Sequence, residues 1–361
     1  MKKPGKKRVL KYLLISVLVA VVGFIGYAII GMNKLNRLAD MSFEEMLQFT
    51  TKDRKDAYIT VGILQDDEMT YTVYGENGEV LPQKETIYEI GSITKTFTAS
   101  MICKAINEGL IRLDDSIDQY LNLPEKDYYP TIRKLLTHTS GYKAYYFEKP
   151  MISNFLFGKN DFKGISKDMV MKRIKKVQIK DVEHSFLYSN FGMSVLGLVL
   201  EEVYDEDYMS LMNRYVQELQ LSNTKVSDGT GDLEGYWEWA KSDAYLPAGG
   251  LLSTVTDMMQ YAKIHMNEEF EYLHMSHEQM AKGASNPTYE KMNIRMDGIG
   301  AGWMMDQENN IIWHNGGTSE FNSYLGFNQE SKTAVVVLSN LPPNFRIPST
   351  VMGIELLTSL R

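Results

Sequence analysis

The chain has 361 residues, of which 44% are hydrophobic and 23% are charged, and this composition is typical of a folded protein with a sizeable core. The formal net charge is −8, but residues 1–31 carry six basic side chains and no acidic one, which leaves −14 on residues 32–361. Such an acidic body excludes nucleic-acid binding, which requires a basic surface. A single cysteine excludes an internal disulfide and a cysteine-based zinc site.

The first informative segment is residues 12–30, which are uncharged and rich in Leu, Ile and Val. As a helix this run would be about 28 Å long, close to the ~30 Å hydrocarbon core of a bilayer. The basic residues before it would remain on the cytoplasmic side. The alternative is a cleaved signal peptide, but no A-x-A cleavage pattern follows at residues 31–34. We therefore predict an uncleaved single-pass anchor, with the remainder of the chain extracellular.

This anchor divides the chain into four predicted segments. Residues 1–11 form a basic cytoplasmic tail, residues 12–31 the transmembrane signal anchor, residues 32–41 a polar tether, and residues 42–361 a single folded domain. Ser42 and Glu45 have the spacing of a capping box, which predicts that a helix opens this domain.

Strand signals occur near both ends of the domain, and helical signals lie between them. Strands are predicted at residues 58–64, 69–74, 302–305, 311–314, 324–328 and 333–338. Helices are predicted at residues 93–108, 131–137, 167–176, 191–203, 208–219, 254–266 and 350–360. This order is not the β-α-β alternation of a parallel sheet. It predicts an α+β fold, in which an antiparallel sheet built from both ends of the chain is flanked by helices and joined by a helical subdomain.

The sharpest chemical signal is the segment E-I-G-S-I-T-K-T-F at residues 89–97. Ser92 begins a helix, and Lys95 lies three residues later, where its side chain shares a helix face with the hydroxyl. A serine nucleophile needs a neighbour that accepts its proton, and a lysine does so when it is kept partly neutral. The alternative is a helix-capping serine followed by a solvated lysine, because S-x-x-K is frequent by chance.

Two further motifs are weak when taken alone. Tyr188 and Asn190 point to the same side of an extended segment before an apolar helix, so that they line a cleft or else form a capping turn. The segment W-H-N-G-G-T at residues 313–318 either forms a hairpin turn or borders a cleft. In the second case its glycines allow a substrate close to the backbone, and a backbone N–H contributes to an oxyanion hole.

In this order and spacing, the three motifs resemble those of the serine β-lactamase and penicillin-binding-protein superfamily. The resemblance is to the branch that contains class C β-lactamases, D-alanyl-D-alanine carboxypeptidases and related esterases. It extends from about residue 42 to the C-terminus. It includes L-L-T-H-T-S-G at residues 135–141 and P-A-G-G-L-L-S-T at residues 247–254.

The resemblance implies a role for each catalytic residue. Ser92 would be the acylated nucleophile, and Lys95 its proton acceptor or electrostatic activator. Tyr188 would pass protons between Ser92, the leaving group and the attacking water. The backbone amides of Ser92 and Gly317 would form the oxyanion hole.

The resemblance also implies a set of substrate-binding residues. Asn190 would hold Lys95 and the substrate amide. His314 stands where many relatives carry a lysine, in an H-x-G variant of the strand motif, and would contact the carboxylate or the leaving group of the substrate. Gly316 and Gly317 would let the substrate approach the strand.

The remaining candidates are expected to be structural. His274 and His277 are predicted to be surface residues, His138 a structural hydrogen-bonding residue, and Cys103 a buried inert thiol. An aromatic cluster follows Gly141 and forms either a rim near the cleft or a cover for the core; its members are Tyr142, Tyr145, Tyr146 and Phe147.

Together these features predict a membrane-anchored serine hydrolase of the cell envelope that needs no metal or organic cofactor. It would act through an acyl-enzyme on D-alanyl peptides, esters or β-lactams. The alternatives are a penicillin-binding sensor that is acylated but does not turn over, and a purely structural envelope protein. Carboxypeptidase, esterase, transpeptidase and β-lactamase activities all fit the motifs, and no oligomeric state follows from them.

Overall fold

The computed structural model of the chain describes residues 40–158, 160–284 and 286–360. Within these ranges, no helix combines the length and the apolar character that a membrane-spanning segment requires. The predicted tail and anchor at residues 1–31 lie outside the described residues, as does nearly all of the predicted tether. These three segments therefore remain predictions.

Strands from both ends of the chain form one large sheet. The described strands are β1 (Ile59–Gln65), β2 (Glu68–Tyr74), β3 (Val80–Leu81), β4 (Tyr88–Glu89), β5 (Lys225–Val226), β6 (Leu251–Ser253), β7 (Ala281–Lys282), β8 (Gly298–Ile299), β9 (Met304–Asp306), β10 (Ile311–Gly317), β11 (Asn322–Asn328) and β12 (Thr333–Ser339). The large sheet is antiparallel in the order β3-β2-β1-β12-β11-β10-β9-β8-β7, and the order β4-β6-β5 forms a small second sheet. This arrangement confirms the predicted antiparallel sheet.

The centre of the sheet joins the first and last long strands. Val61 of β1 lies opposite Val337 of β12, and the pairing continues over seven residues of each strand. The β1–β2 hairpin turns at Asp66 and Asp67, whose φ angles of 50° and 65° are those of a type I′ turn. Positive φ angles at both turn positions match the twist of the two strands, so the two predicted strands pair as a hairpin whose register is fixed by the turn.

Helices cover both faces of the sheet and form a separate helical region. They are α1 (Phe43–Thr51), α2 (Thr94–Asn107), α3 (Ile132–Leu136), α4 (Lys149–Leu156), α5 (Lys167–Lys176), α6 (Asn190–Tyr204), α7 (Tyr208–Glu218), α8 (Leu246–Gly249), α9 (Val255–Asn267), α10 (His274–His277), α11 (Pro287–Glu290) and α12 (Ser349–Ser359). The predicted capping box is present, since Ser42 Oγ accepts a hydrogen bond from the Glu45 amide and the Glu45 carboxylate accepts one from the Ser42 amide.

Two hydrophobic clusters lie on opposite faces of the sheet. Every residue of β12 is buried, as expected of a central strand covered on both faces. Because side chains alternate along a strand, Val335 and Val337 pack in one cluster with α1 and α12, and Val336 and Leu338 pack in the other with the helical region. The end of β10, beyond its pairing with β9, lies against the turn that precedes α2, and the candidate site lies where these two parts meet.

Candidate active site

Ser92 lies on a tight turn between β4 and α2. One turn of 3-10 helix, Gly91–Ile93, precedes α2, and Gly91 adopts a φ of +49°. A Cβ atom on Gly91 would lie only 2.6 Å from the Gly317 nitrogen. Only glycine combines this left-handed angle with such close contact, and the turn thereby presses Ser92 against the end of β10.

Lys95 is fully buried on the first turn of α2 and reaches back to the serine. Its Nζ lies 2.8 Å from Ser92 Oγ and also donates a hydrogen bond to the Ala248 carbonyl. Burial lowers the pKa of Lys95 well below its ordinary value, because no carboxylate compensates the charged form. A neutral amine at this distance has a lone pair available to accept the proton of the serine hydroxyl.

Tyr188 completes the cluster from the segment that precedes α6. Its hydroxyl is hydrogen-bonded to Ser92, and Lys95 Nζ lies 4.9 Å from the centroid of its ring. Burial raises the pKa of Tyr188 well above its ordinary value, so that the side chain rests as a neutral phenol. The pKa values of Lys95 and Tyr188 are thus displaced in opposite directions, which suits the amine to act as base and the phenol as proton donor.

The edge of β10 provides a backbone amide beside the serine. The Thr318 amide donates to the Phe321 carbonyl at 2.9 Å, so that pair is a hydrogen-bonded pair of the antiparallel ladder. Because such pairs alternate along the ladder, the Gly317 N–H points away from β11. On the other side of β10, strand β9 pairs with it only as far as Trp313. Residues 314–317 of β10 therefore have no strand on that side, and the Ser92 turn lies against them.

A cleft of about 790 Å³ opens in front of this cluster. Ser92, Tyr188, Gly316 and Gly317 lie on its wall. The wall is otherwise mostly apolar and includes Phe186, Met292, Ile294, Met296, Met304, Trp313, Pro343, Pro348 and Val351. This volume suits a small-molecule or short-chain ligand, and an apolar wall stabilises an uncharged group.

Two of the predicted substrate-binding residues do not line the cleft. His314 is buried, and its Nδ1–H donates to the Asn315 carbonyl at 2.6 Å. Burial and the neighbouring Lys95 lower the pKa of His314 to about 3, so the ring is neutral. It packs beside Tyr188, with the two ring centroids 6.2 Å apart, and is not among the residues of the described cleft wall. Asn190 begins α6, and the second hydrogen-bond partner of Lys95 is the Ala248 carbonyl rather than Asn190.

Of the other histidines, His138 has the predicted structural role, whereas His277 is more buried than predicted. His138 accepts a hydrogen bond from the Ser189 amide at 3.2 Å and packs against Tyr188, which agrees with a structural role. His277 is buried, and the prediction of a surface residue is wrong for it. Its ring bridges the Glu268 carboxylate and His265, both at 2.9 Å, because α9 and the following segment fold over α10.

The remaining sequence candidates also have defined positions. Cys103 is buried and free, as predicted, and burial raises the pKa of its thiol to about 12. Within the aromatic cluster, Tyr142 is buried against Phe191, whereas Tyr145 and Phe147 are exposed and are not among the residues of the described cleft wall. The cluster is therefore partly a core cover.

The Ala248 carbonyl, which accepts a hydrogen bond from Lys95, was not predicted from the sequence. A backbone acceptor leaves no side-chain signal, although the segment at residues 247–254 already matched the superfamily. The apolar wall was also missed, because its methionines and Ile294 lie in a part of the chain without a regular hydrophobic period.

Comparison with known proteins agrees with this geometry. The chain is 22% identical over 293 residues to "Protein flp" of Staphylococcus aureus strain N315, an alignment that covers 74% of this chain and 55% of that protein. It thus spans about half the length of the curated relatives it matches.

Solved structures share the fold at low sequence identity. A β-lactamase/D-alanine carboxypeptidase from Yersinia pestis matches with a TM-score of 0.68 and 18% identity, covering 90% of this chain and 98% of that one. The octameric penicillin-binding protein homologue from Pyrococcus abyssi has a TM-score of 0.68 and 21% identity, with 85% and 74% covered. The family model described as Beta-lactamase matches residues 51–350. With most of its described length matched, this chain belongs to the β-lactamase family, within the serine β-lactamase and penicillin-binding-protein superfamily.

Proposed function

We propose that this chain is a serine acyl hydrolase that works through a covalent acyl-enzyme. The observation that carries the proposal is the contact of three groups in one cleft: the Ser92 hydroxyl, the Lys95 amine and the Tyr188 phenol. Burial displaces the pKa of each group toward the protonation state that its role requires, because it lowers the pKa of the Lys95 amine and raises that of the Tyr188 phenol.

The reaction proceeds in two steps. Ser92 Oγ attacks the carbonyl carbon of an ester or amide while its proton passes to Lys95 Nζ, and the N–H groups of Ser92 and Gly317 stabilise the oxyanion. The leaving group takes a proton from Tyr188 as its bond to the carbonyl carbon breaks, and the phenol regains a proton from Lys95. Water then attacks the acyl-enzyme with the same groups in reverse order, releasing the acid and restoring Ser92.

Candidate substrates are esters, D-alanyl peptides and β-lactams of the cell envelope, and the cleft wall favours uncharged acyl groups among them. Arg346 is the charged residue on the described part of this wall. Its Nη1 donates to the Phe49, Thr50 and Lys52 carbonyls at the end of α1, which holds its charge at that helix end. A carboxylate on the acyl group would therefore lose water without gaining a dedicated cationic partner.

The place of action follows from the sequence prediction. Residues 12–31 anchor the chain in the cell membrane, with the catalytic domain on the extracellular side. This position would keep the cleft close to envelope polymers and lipids, and it is supported by the uncharged apolar run and the basic residues that precede it.

The proposal is tested with a fluorophosphonate and a fluorescent β-lactam, followed by intact mass spectrometry over time. The expected result is a covalent adduct with both probes in the wild-type protein and none in Ser92→Ala. The fluorophosphonate adduct is irreversible and reports only the reactive serine, whereas the β-lactam adduct is expected to form and then decay. A β-lactam adduct that persists would indicate the penicillin-binding sensor instead. If neither probe labels the wild type more than Ser92→Ala, the proposed function is wrong.

Substrate choice is tested with a matched pair of p-nitrophenyl esters, the butyrate and the hemisuccinate, which differ mainly in a terminal carboxylate. We expect kcat/KM to favour the butyrate by about tenfold or more, which corresponds to ~1.4 kcal/mol. Equal values for the two esters would contradict the argument from the uncharged wall, even if the acyl-enzyme forms.

A further inference from the structure

The helix α4 buries a polar side chain and exposes most of its large apolar side chains to solvent. Its one buried residue is polar: Asn154, whose Nδ2 donates to the Asp161 and Lys163 carbonyls at 3.2 and 2.8 Å. Met151 packs partly against the core, but the other large apolar side chains of α4 and that of Phe157, which follows it, face outward. Their exposed fractions are 51% for Ile152, 82% for Phe155, 69% for Leu156 and 73% for Phe157.

Exposure of this kind needs a reason beyond folding. Single exposed apolar residues are common on soluble proteins, but four large ones within six positions form a contiguous patch. Tyr145 and Phe147, which precede the helix, are also exposed. We call these six residues the apolar surface. Since the hydrogen bonds of Asn154 fix which side of α4 faces inward, the outward side is set by the fold.

The surroundings of the apolar surface are basic, in contrast to the rest of the protein. Residues 143–187 contain ten Lys or Arg and five Asp or Glu, a net charge of +5 in a chain whose net charge is −8. Six exposed lysines of this segment form no ion pair with the described residues: Lys143, Lys149, Lys172, Lys175, Lys176 and Lys180.

The basic helix α5 is fastened to the start of α4. Arg173 donates to the Glu148 carboxylate at 2.7 Å and to the Phe147 carbonyl at 3.0 Å. Val170 and Ile174 of α5 are buried, so that its exposed lysines lie on the solvent side of that helix. Exposed aromatic and aliphatic side chains next to unpaired lysines are the combination that binds the interface of an anionic bilayer.

We propose that the apolar surface docks on an anionic lipid bilayer. Phe155, Leu156 and Phe157 enter the boundary between headgroups and acyl chains, and the neighbouring lysines contact the phosphate groups. The charge of the segment selects this partner, because an acidic surface is its electrostatic complement. The predicted anchor would keep the domain within reach of such a surface, but the docking site itself is separate from that anchor and independent of the proposed hydrolase activity.

The test uses the full chain reconstituted in vesicles, with an environment-sensitive fluorophore on an introduced cysteine. Phe155→Cys places the label on the apolar surface, and Val80→Cys, at a position 64% exposed on β3, is the matched control. The native Cys103 is buried, with a pKa raised to about 12, and the unsubstituted protein serves to establish that it does not react.

Vesicles contain phosphatidylcholine, with or without phosphatidylglycerol, and spin-labelled lipid is the quencher. We expect the label at position 155 to be quenched several-fold more than the label at position 80, with a larger difference when phosphatidylglycerol is present. The triple variant Lys172→Glu/Lys175→Glu/Lys176→Glu should remove the phosphatidylglycerol dependence and leave hydrolysis of a soluble ester unchanged.

Two results would overturn the proposal. One is equal, weak lipid quenching at positions 155 and 80, with both labels open to iodide in the water. The other is a label at position 155 that is shielded from iodide and yet is not quenched by lipid, because the surface would then be covered by protein, either another molecule or a segment of this chain.

Discussion

The contact between Gly91 and the end of β10 allows a prediction in which a single methyl group tests the oxyanion hole. In Gly91→Ala, the new Cβ would lie 2.6 Å from the Gly317 nitrogen, 0.8 Å closer than the 3.4 Å at which ordinary contact begins. Either the serine turn or the Gly317 amide must therefore move by nearly 1 Å. A displacement of that size at a reacting centre costs about 100-fold in rate, and loss of one oxyanion donor costs about 10²–10³-fold.

The matched control is Gly109→Ala, at a glycine with φ of +76° and no atom within 4 Å of the added Cβ. Both variants place alanine in the left-handed region, which costs about 1–2 kcal/mol. We expect both to lose a few degrees in Tm, and only Gly91→Ala to lose about 100-fold in kcat/KM toward a p-nitrophenyl ester. If Gly91→Ala is folded and as active as Gly109→Ala, the assignment of the Gly317 amide to the oxyanion hole is wrong.

Further predictions concern protons and the cleft wall. Tyr188→Phe should lower kcat by about 10²–10⁴-fold with little change in Tm, because only the proton donor is removed. The kcat/KM of the wild type should rise with pH to a plateau as Lys95 loses its proton, below the ordinary pKa of lysine, and Lys95→Arg should be inactive at every pH. Ile294→Lys, but not Ile294→Met, should improve the relative kcat/KM for the hemisuccinate ester. Stability should fall in acid because burial lowers the pKa of four histidines: His138, His265, His277 and His314. Below pH 6.5 the unfolded chain binds protons that the folded chain does not, at up to about 1.4 kcal/mol per pH unit for a histidine that stays neutral in the folded chain, as His314 does with a pKa of about 3; Glu89, with a pKa raised to about 7, opposes this loss. Urea unfolding between pH 7 and pH 5.5 measures this loss, and an unchanged free energy of unfolding would contradict it.

The long elements could be predicted because their local signals agree with their tertiary environment. The helix α5 has the predicted ends, since Ser166 caps it and its apolar residues face the core. The hairpin at Asp66 and Asp67 follows from the chemistry of its turn. No helix was predicted at α4, because most of its apolar residues face outward and its hydrophobic period therefore does not mark the core.

Other features depend on partners that are distant in the chain. The strand β10 extends to Gly317, beyond the predicted end at residue 314, because pairing with β11 continues through the Asn-Gly step that otherwise favours a turn. The small sheet joins Tyr88 to Ser253, and strands of two or three residues leave no periodic signal. His277 was misplaced for a similar reason, since its partners Glu268 and His265 come from other elements.

Candidate catalytic side chains were easier to find than their supports. The spacing of Ser92 and Lys95 on one helix turn specifies their contact directly. Tyr188, which the resemblance implied as the third member, lies beside them. The positions of His314 and Asn190 depend on how the sheet packs against the helical region, which short motifs do not encode. His314 is accordingly buried and is not among the residues of the described cleft wall.

The pairing of β1 with β12 has a consequence for biosynthesis. The serine turn packs on the end of β10, and the sheet that holds β10 is complete only when β12 has inserted between β1 and β11. That strand is synthesised more than two hundred residues after Ser92. A ribosome that has just finished the helical region therefore carries a chain with its nucleophile made but its oxyanion pocket absent. Chemical competence should appear late and abruptly during synthesis, so that the growing polypeptide does not react with the esters it meets before its synthesis is complete.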